Sequence, residues 1–486
     1  MSEYRQKGSL AYLISIVLVA VIGGLLFGYD TAVISGAERG LQQFFQGAGD
    51  FNYTDGWHGF TTSSALIGCI IGALISGRLA TAIGRKKTLF CAGILFLLSA
   101  LGSYYPEFLF FPKGVASVGL LVAFNGYRIL GGIGVGLASA LCPMYIAEVA
   151  PAKRRGRLVS WNQFAIIFGQ LVVYFVNFLI LNSHAGDPAI AEWTQQVGWR
   201  LMFVSESVPA ALFALLILLV PETPRYLALH GHDDKALEVL ANINGEARGR
   251  EILAAIKATA VKEGRRKTEK LFAYGFLVIF IGCMLSVFQQ IIGINAVLYF
   301  APRIFHSMGM GNPMFQTVLM GIINITFTLV AVFTVEKVGR KPLLITGSIG
   351  MAIGALGVAL SNLVTVSPIV PVISIMVYSA CFMFSWGPIC WVYIAELFPN
   401  TIRSRATAYA VAFQWIFNFI VSSTFVPMYN MKLGSMGDSF GHFFSYALYG
   451  VICIIAAIFV WRLVPETKGK TLEQMTALWK SYKHNK

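Results

Sequence analysis

Twelve separate apolar runs divide this 486-residue chain, and each approaches or exceeds the roughly 20 residues that a helix needs to cross a bilayer. Lipid offers no water to a backbone amide or carbonyl, so a spanning segment must close its hydrogen bonds within itself or within a sealed barrel. Barrel strands need only about 9–11 residues, so runs of this length select helices. The expected spans lie near residues 10–36, 59–82, 88–106, 117–146, 157–182, 199–220, 271–300, 313–336, 343–363, 368–397, 404–430 and 442–464. Charged residues make up 12% of the chain, about half the share in a soluble protein. The expected fold class is therefore all-α, a membrane protein of twelve transmembrane helices.

The net charge of +14 matters less than its placement. Basic clusters at Arg85–Lys87, at Lys153, Arg154, Arg155 and Arg157, at Lys337, Arg340 and Lys341, and at Arg403 and Arg405 follow spans 2, 4, 8 and 10. The loops between them are nearly free of Lys and Arg, which puts the basic side, and both termini, in the cytoplasm. No basic run is interleaved with aromatics on a soluble domain, so nucleic acid is not an expected partner. The seven cysteines fall within apolar runs and read as small buried residues. The histidines have no metal-ligand spacing, and no nucleophile–base–orienter set appears, so neither an enzyme nor a metal or other cofactor is expected. The first apolar run is too long for a cleavable signal and continues as a span.

The chain repeats itself. "YIAEVAPAKRRGR" at 145–157 recurs as "YIAELFPNTIRSR" at 393–405, "IGRKK" at 83–87 as "VGRKP" at 338–342, and "VPETPR" at 220–225 as "VPETKG" at 464–469. Three matches at nearly one offset indicate a duplicated six-helix unit, an architecture that places a site between two rocking halves. The expected domains are an N-terminal half (1–220), a polar linker (221–270) of amphipathic helices, a C-terminal half (271–464) and a cytoplasmic tail (465–486).

Three constellations carry chemistry. In the first, Glu148 and Arg155 of one half match Glu396 and Arg403 of the other, with Arg85 and Arg340 in the short loops after spans 2 and 8. Acid and base at helix ends can pair across the gap as a latch, whereas topology alone asks only for Lys and Arg. The second is polar and aromatic. Gln163 and Gln170 are seven apart on span 5; span 7 carries Gln289, Gln290, Asn295, Tyr299 and Phe300. Span 10 has Trp386, a Gly387–Pro388 break and Trp391, and span 11 has Gln414, Trp415 and Asn418. Amides donate and accept without net charge, as vicinal hydroxyls require, and flat aromatic faces suit the C–H side of a sugar ring. Hydrogen bonding between helices is the plainer alternative for any single amide.

The third constellation is charged. Asp30 lies in the apolar "GGLLFGYDTAVISG", Arg128 in "YRILGGIGVG" and Glu206 in "FVSESVP". A charge at the centre of a membrane helix costs roughly 2.5–3.5 kcal/mol and therefore pairs or faces water. Asp30–Arg128 is the natural pair, with Glu206 as a second acid. Arg128 favours the ionised Asp30 while burial opposes it, so movement of Arg128 changes the proton affinity. "GGIGVG" lies inside an apolar helix and reads as small-residue packing, not as a nucleotide loop.

With "GGLLFGYDTAVISG", "PMYIAEVAPAKRRGRLVSWNQFAIIFGQ", "FQQIIGINAVLYFAP", "SWGPICWVYIAELFP" and "VPETKGKTLE", the sequence resembles the sugar porter family of the major facilitator superfamily nearly end to end. The resemblance implies an alternating-access, proton-coupled importer of D-xylose or a closely related monosaccharide, monomeric, in a bacterial inner membrane. D-glucose is a further expected ligand or inhibitor; a facilitator, a hexose–proton symporter and a sugar sensor are the alternatives. Gln163, Gln289, Gln290, Asn295, Trp391 and Gln414 match the sugar hydrogen-bonding positions of that family. Phe27, Gln170, Tyr299, Phe382, Gly387 and Trp415 match its pocket lining. Asp30 matches its proton-coupling carboxylate, with Arg128 and Glu206 as partners. The cytoplasmic gate comprises Arg85, Glu148, Arg155, Glu336, Arg340, Glu396 and Arg403. "GRLATAIGRKK" departs from the family pattern at Thr81 and Ala82, while the second copy keeps Glu336 and Lys337.

Overall fold

Short polar side chains start the long helices. Ser9 Oγ accepts the Tyr12 amide at 3.2 Å, Ser117 Oγ that of Leu120 at 3.2 Å, and Asn312 Oδ1 that of Phe315 at 3.1 Å, each satisfying an amide with no intrahelical partner. The computed structural model describes residues 8–108, 110–151, 154–265, 271–364, 366–399, 402–434, 437–468 and 479. The first six spans are α1 (Leu10–Gln46), α2 (Asp55–Ala82), α3 (Arg85–Tyr104), α4 (Val118–Val149), α5 (Arg155–Asn182) and α6 (Ile190–Ile217). Three shorter helices follow: α7 (Pro224–Leu229), α8 (Asp233–Asn244) and α9 (Glu246–Arg265). The second set comprises α10 (Phe276–Ile291), α11 (Ile294–Tyr299), α12 (Ala301–Ser307), α13 (Pro313–Val338), α14 (Arg340–Ser361), α15 (Ile369–Phe384), α16 (Trp386–Leu397), α17 (Arg403–Tyr429) and α18 (Asp438–Leu463). Twelve helical segments are long and apolar enough to span a membrane, as expected, and the described residues contain no strand.

Packing within each set is close. A Cβ on Gly132 of α4 would lie 1.8 Å from the Ala65 carbonyl oxygen of α2, so "GGIGVG" is a packing surface that lets two backbones touch. The two sets meet along α2 against α17 and α5 against α13.

Several boundaries differ from expectation. The first helix runs to Gln46 rather than 36, because Glu38 is buried instead of leaving the membrane. Span 7 is two helices: Gly293 takes a φ of +92°, and the Ile292 carbonyl freed there accepts from Tyr378 Oη. Span 10 breaks at Ser385, not at Gly387–Pro388. The Pro388 ring would clash with the carbonyl four residues back, so the helix stops at Phe384 and restarts with proline in its first turn. Four cysteines are buried as expected; Cys283 and Cys381 are half-buried, and Cys91 is exposed on the outer surface of the bundle. Most of the expected tail and Lys153 lie outside the described residues, but Trp479 is buried and donates to the Leu397 carbonyl at 2.9 Å.

Candidate functional site: a central cavity beside a buried charge cluster

One cavity, with about 100 Å³ open to the centres of water molecules, lies between the two sets of helices. All twelve residues expected at the sugar site line it. Phe27 comes from α1, Gln163 and Gln170 from α5, and Gln289 and Gln290 from α10. Asn295 and Tyr299 come from α11, Phe382 from α15, Gly387 and Trp391 from α16, and Gln414 and Trp415 from α17. Asn418, expected in the polar constellation of span 11, lines it too, and so does Thr31, which was not assigned from sequence.

The amides form a chain. Gln289 Nε2 donates to the Trp386 carbonyl at 2.9 Å and the Gly387 carbonyl at 3.2 Å, both in the first turn of α16 just after the break. Gln289 Oε1 accepts from Gln414 and from Gln290 Nε2, the latter at 3.4 Å, while Asn295 Nδ2 donates to Gln290 Oε1 at 2.5 Å. Trp386 Nε1 donates to Ser348 Oγ at 2.7 Å, which fixes the broken span. Phe27 and Trp415 face one another at 5.7 Å across the cavity wall. Gln170 Oε1, Gln414 Oε1 and Trp415 Nε1 are buried with no hydrogen-bond partner among the described residues. The cavity therefore presents two acceptors and a donor beside aromatic faces. Each unmet group costs about 1–3 kcal/mol until something fills the space.

The charge cluster is buried within the first six spans. Arg128 Nη1 donates to Asp30 Oδ1 at 2.6 Å and Nη2 to the Asp30 carbonyl at 3.2 Å, with Asp30 fully buried and Arg128 2% exposed. The guanidinium lies 5.0 Å over the Phe203 ring. Glu206, at the irregular turn in α6, is fully buried and interacts electrostatically with both. Glu206 and Asp30 lie within hydrogen-bond reach of each other, but no N–H or O–H group of the described residues donates to either oxygen of Glu206 or to Asp30 Oδ2. Two carboxyls share one guanidinium, so the cluster has room for a proton without an added counter-ion.

At the end that carries the N-terminus, the expected gate residues pair differently from expectation. Arg85 Nη2 binds Glu148 Oε1 at 2.9 Å, and Arg340 Nη2 binds Glu396 Oε1 at 2.9 Å, so each salt bridge joins residues of one repeat and does not cross the gap. The cause is local and duplicated. Glu222 caps the start of α3 through the Arg85 and Lys86 amides at 3.1 and 3.0 Å, and Glu466 caps α14 through Arg340 and Lys341 at 3.1 and 2.9 Å. Thr223 and Thr467 then donate to Glu148 and Glu396 at 2.6 and 2.7 Å. Arg155 lines a separate cavity near α8 and α9, and Arg403 donates to the Phe398 carbonyl at 3.1–3.2 Å. The Glu336 side chain lies outside the described residues.

Sequence reasoning missed a third cluster, at the opposite end. Glu38 of α1 is bound by Arg303 of α12 and by His58 of α2, and it joins the two sets of helices. Its signal was an acid two residues beyond the assumed end of an apolar run, which reads equally as an interfacial charge.

The sequence matches the family model described as "Sugar (and other) transporter" over residues 16–479. It is 47% identical over 479 residues to the D-xylose-proton symporter of Escherichia coli (strain K12), covering 96% of each chain. It is 36% identical over 472 residues to the glucose facilitated diffusion protein of Zymomonas mobilis, covering 96% of this chain and 97% of that one. The fold superposes on the inward open conformation of the xylose transporter XylE from E. coli with a TM-score of 0.85, at 45% identity, covering 96% of this chain and all of that one. A family match over nearly the whole length, on a twelve-helix bundle of this form, identifies the chain as a member of the sugar transporter family of the major facilitator superfamily, not an enzyme.

Proposed function

We propose that the chain imports D-xylose, or a closely related monosaccharide, together with a proton by alternating access in a bacterial inner membrane. The observation that carries the reading is the pairing of two features within the bundle: a cavity with unmet uncharged donors and acceptors, and a breakable carboxylate–guanidinium pair beside it. The amides bind hydroxyls, and Phe27 and Trp415 cover the apolar ring face. Protonation of Asp30 releases Arg128, with Glu206 as the alternative acid, and the two sets of helices then rock about the site. Tyr299 connects the parts, since it lines the cavity, hydrogen-bonds Asn418 and interacts electrostatically with Asp30 and Arg128.

The basic loops support a cytoplasmic position for both termini, and a cavity built from both halves of one chain supports action as a monomer. D-glucose, one hydroxymethyl group larger, is a second ligand or an inhibitor of the same cavity. The duplicated pairs at Arg85–Glu148 and Arg340–Glu396 brace each half internally, so that the cytoplasmic ends move as rigid units. Proton uptake driven by sugar in proteoliposomes, measured with a panel of pentoses and hexoses, tests the proposal. Uptake with D-xylose and a matched loss in Asp30→Asn is expected. Sugar entry with no proton movement assigns the chain to facilitated diffusion instead.

A further inference from the structure

At the end away from the N-terminus the two sets of helices are joined through one buried carboxylate. Glu38, on α1, is fully buried. Arg303, on α12, donates from Nε to Oε1 at 3.1 Å and from Nη2 to Oε2 at 2.5 Å. His58, on α2, is also fully buried and holds Oε2 through Nε2 at 3.0 Å, while its Nδ1 lies 3.1 Å from Tyr53 Oη. Arg303 also donates to Gln42, whose Nε2 reaches Asp55 Oδ1 at 3.3 Å; Asp55 Oδ2 accepts from Asn430 at 2.9 Å. Glu38, His58, Tyr53, Gln42 and Asp55 belong to the first set of helices, and Arg303 and Asn430 to the second. Above them a vestibule of about 620 Å³, lined by Arg303, Arg39, His306 and Tyr429, reaches the surface.

Opening this end requires the two sets to part, and that movement takes Arg303 from Glu38 while leaving His58 in place. The groups facing the imidazole are then Glu38 from α1, and Tyr53 and Asp55 from its own side, while Arg39 acts on Glu38 and not on the ring. Arg303, His306 and Tyr429 withdraw with the other set. In the closed state a neutral imidazole fits both contacts, with Nε2–H donating to Glu38 and the Tyr53 hydroxyl donating to Nδ1. Once Arg303 leaves, a buried carboxylate without its cation is strongly disfavoured unless another positive charge replaces it.

We propose that Glu38 and His58 form a second proton-binding site, which loads from the vestibule side as the two sets part there and discharges to that side when Arg303 returns. The proton adds to Nδ1, Tyr53 turns to accept from it, and the imidazolium takes the place of the guanidinium. No other group gains or loses a charge. Acid on the vestibule side therefore favours opening on that side, independently of Asp30. This inference rests on the alternating-access reading above.

The test uses the full chain in lipid nanodiscs, with genetically encoded spin labels at the exposed positions Gly49 and Leu433 on either side of the vestibule end. Distances are recorded by pulsed EPR from pH 8 to 5.5 in an Asp30→Asn background, with and without His58→Gln. The open-to-closed ratio is expected to rise as pH falls, by up to about tenfold per pH unit where the site titrates, and to lose that dependence in His58→Gln. Arg303→Gln is expected to favour the open distance at every pH. Two populated distances whose ratio is flat with pH, or equally pH-dependent in His58→Gln, overturn the second proton site alone. A single unchanged distance in every variant overturns alternating access, and this inference with it.

Discussion

Gly59 of α2 offers a direct test of which contacts distinguish one conformation from the other. A Cβ built there would lie 2.0 Å from the Ser423 carbonyl oxygen of α17, 3.0 Å from its carbon and 3.4 Å from its Cα. The partner is backbone and belongs to the other set of helices, so no rotamer change relieves the clash. The two helices must separate by more than 1 Å at this point. Overpacking of this kind costs about 1–3 kcal/mol, but only in the state in which α2 and α17 touch. At 1.4 kcal/mol per tenfold, Gly59→Ala should raise the open-to-closed ratio at the vestibule end about 5- to 150-fold. Gly28→Ala is the matched control: its Cβ would lie 1.8 Å from the Ile166 carbonyl oxygen, a contact between α1 and α5 within one set. It should lower the thermal unfolding temperature and leave the ratio of distances unchanged. Pulsed EPR across the vestibule end, read beside thermal unfolding, separates the two effects. If Gly59→Ala lowers stability as Gly28→Ala does and moves no distance, the α2–α17 contact persists in both states. The reasoning would then be wrong.

Asp30→Asn should keep sugar counterflow but abolish accumulation. One proton moving down 100 mV supplies about 2.3 kcal/mol, or roughly 40–50-fold, and retention of that gradient by the variant would sink the coupling role of Asp30. Gln289→Ala removes the clamp on the Trp386 and Gly387 carbonyls and a partner of Gln414, so sugar affinity measured by calorimetry should fall about 10- to 100-fold; unchanged affinity would remove it from the site. Glu107, outside the spans, is fully buried and bound by Arg200 at 2.6 and 2.8 Å. Burial pushes its carboxyl up, but the hydrogen bonds and charge of Arg200 outweigh burial and hold it below the ordinary 4.5. Its stabilisation is thus complete above that value and is lost as pH falls through the depressed one. Glu107→Gln should cost about 3–5 kcal/mol at neutral pH, and its deficit in thermal unfolding should close in acid; a constant deficit would contradict the ion pair.

The parts of the site legible in the sequence were those whose residues violate their surroundings. Asp30 and Arg128 stand out because a charge inside an apolar run demands a partner, and seven amides in apolar helices stand out together. Their common cavity followed from the repeat, which says that two six-helix sets face each other. Thr31 was missed because a single hydroxyl in a helix has an ordinary local explanation: Thr31 Oγ1 donates back to the Phe27 carbonyl at 2.9 Å. The gate acids were recognised but given the wrong partners, since the choice between a neighbour in the same half and one across the gap depends on helix caps at Glu222 and Glu466. The break at Gly293 gave no sequence signal, being one glycine in a long apolar run. Arg303 is 265 positions from Glu38, and no local pattern joins them.

The two buried acids of α1 show why the partner matters more than the acid. Asp30 and Glu38 lie about two turns apart on one helix, both fully buried and both held by an arginine. The counter-ion of Asp30 is Arg128, on α4 of the same set of helices, so rigid rocking leaves that pair intact. Its protonation must be altered by something that enters or moves within the half, and Tyr299, which reaches from the central cavity toward Asp30 and Arg128, is placed to transmit it. The counter-ion of Glu38 is Arg303, on the other set, so rocking by itself breaks the pair. A carboxylate paired within a half can report occupancy of the site, whereas one paired between halves can report only the conformation. A transporter that couples sugar to protons needs the first kind at its centre. The second kind, beneath the vestibule, adds a dependence on the pH of that side to the opening step without adding a proton to the transport stoichiometry, because its proton returns to the side from which it came.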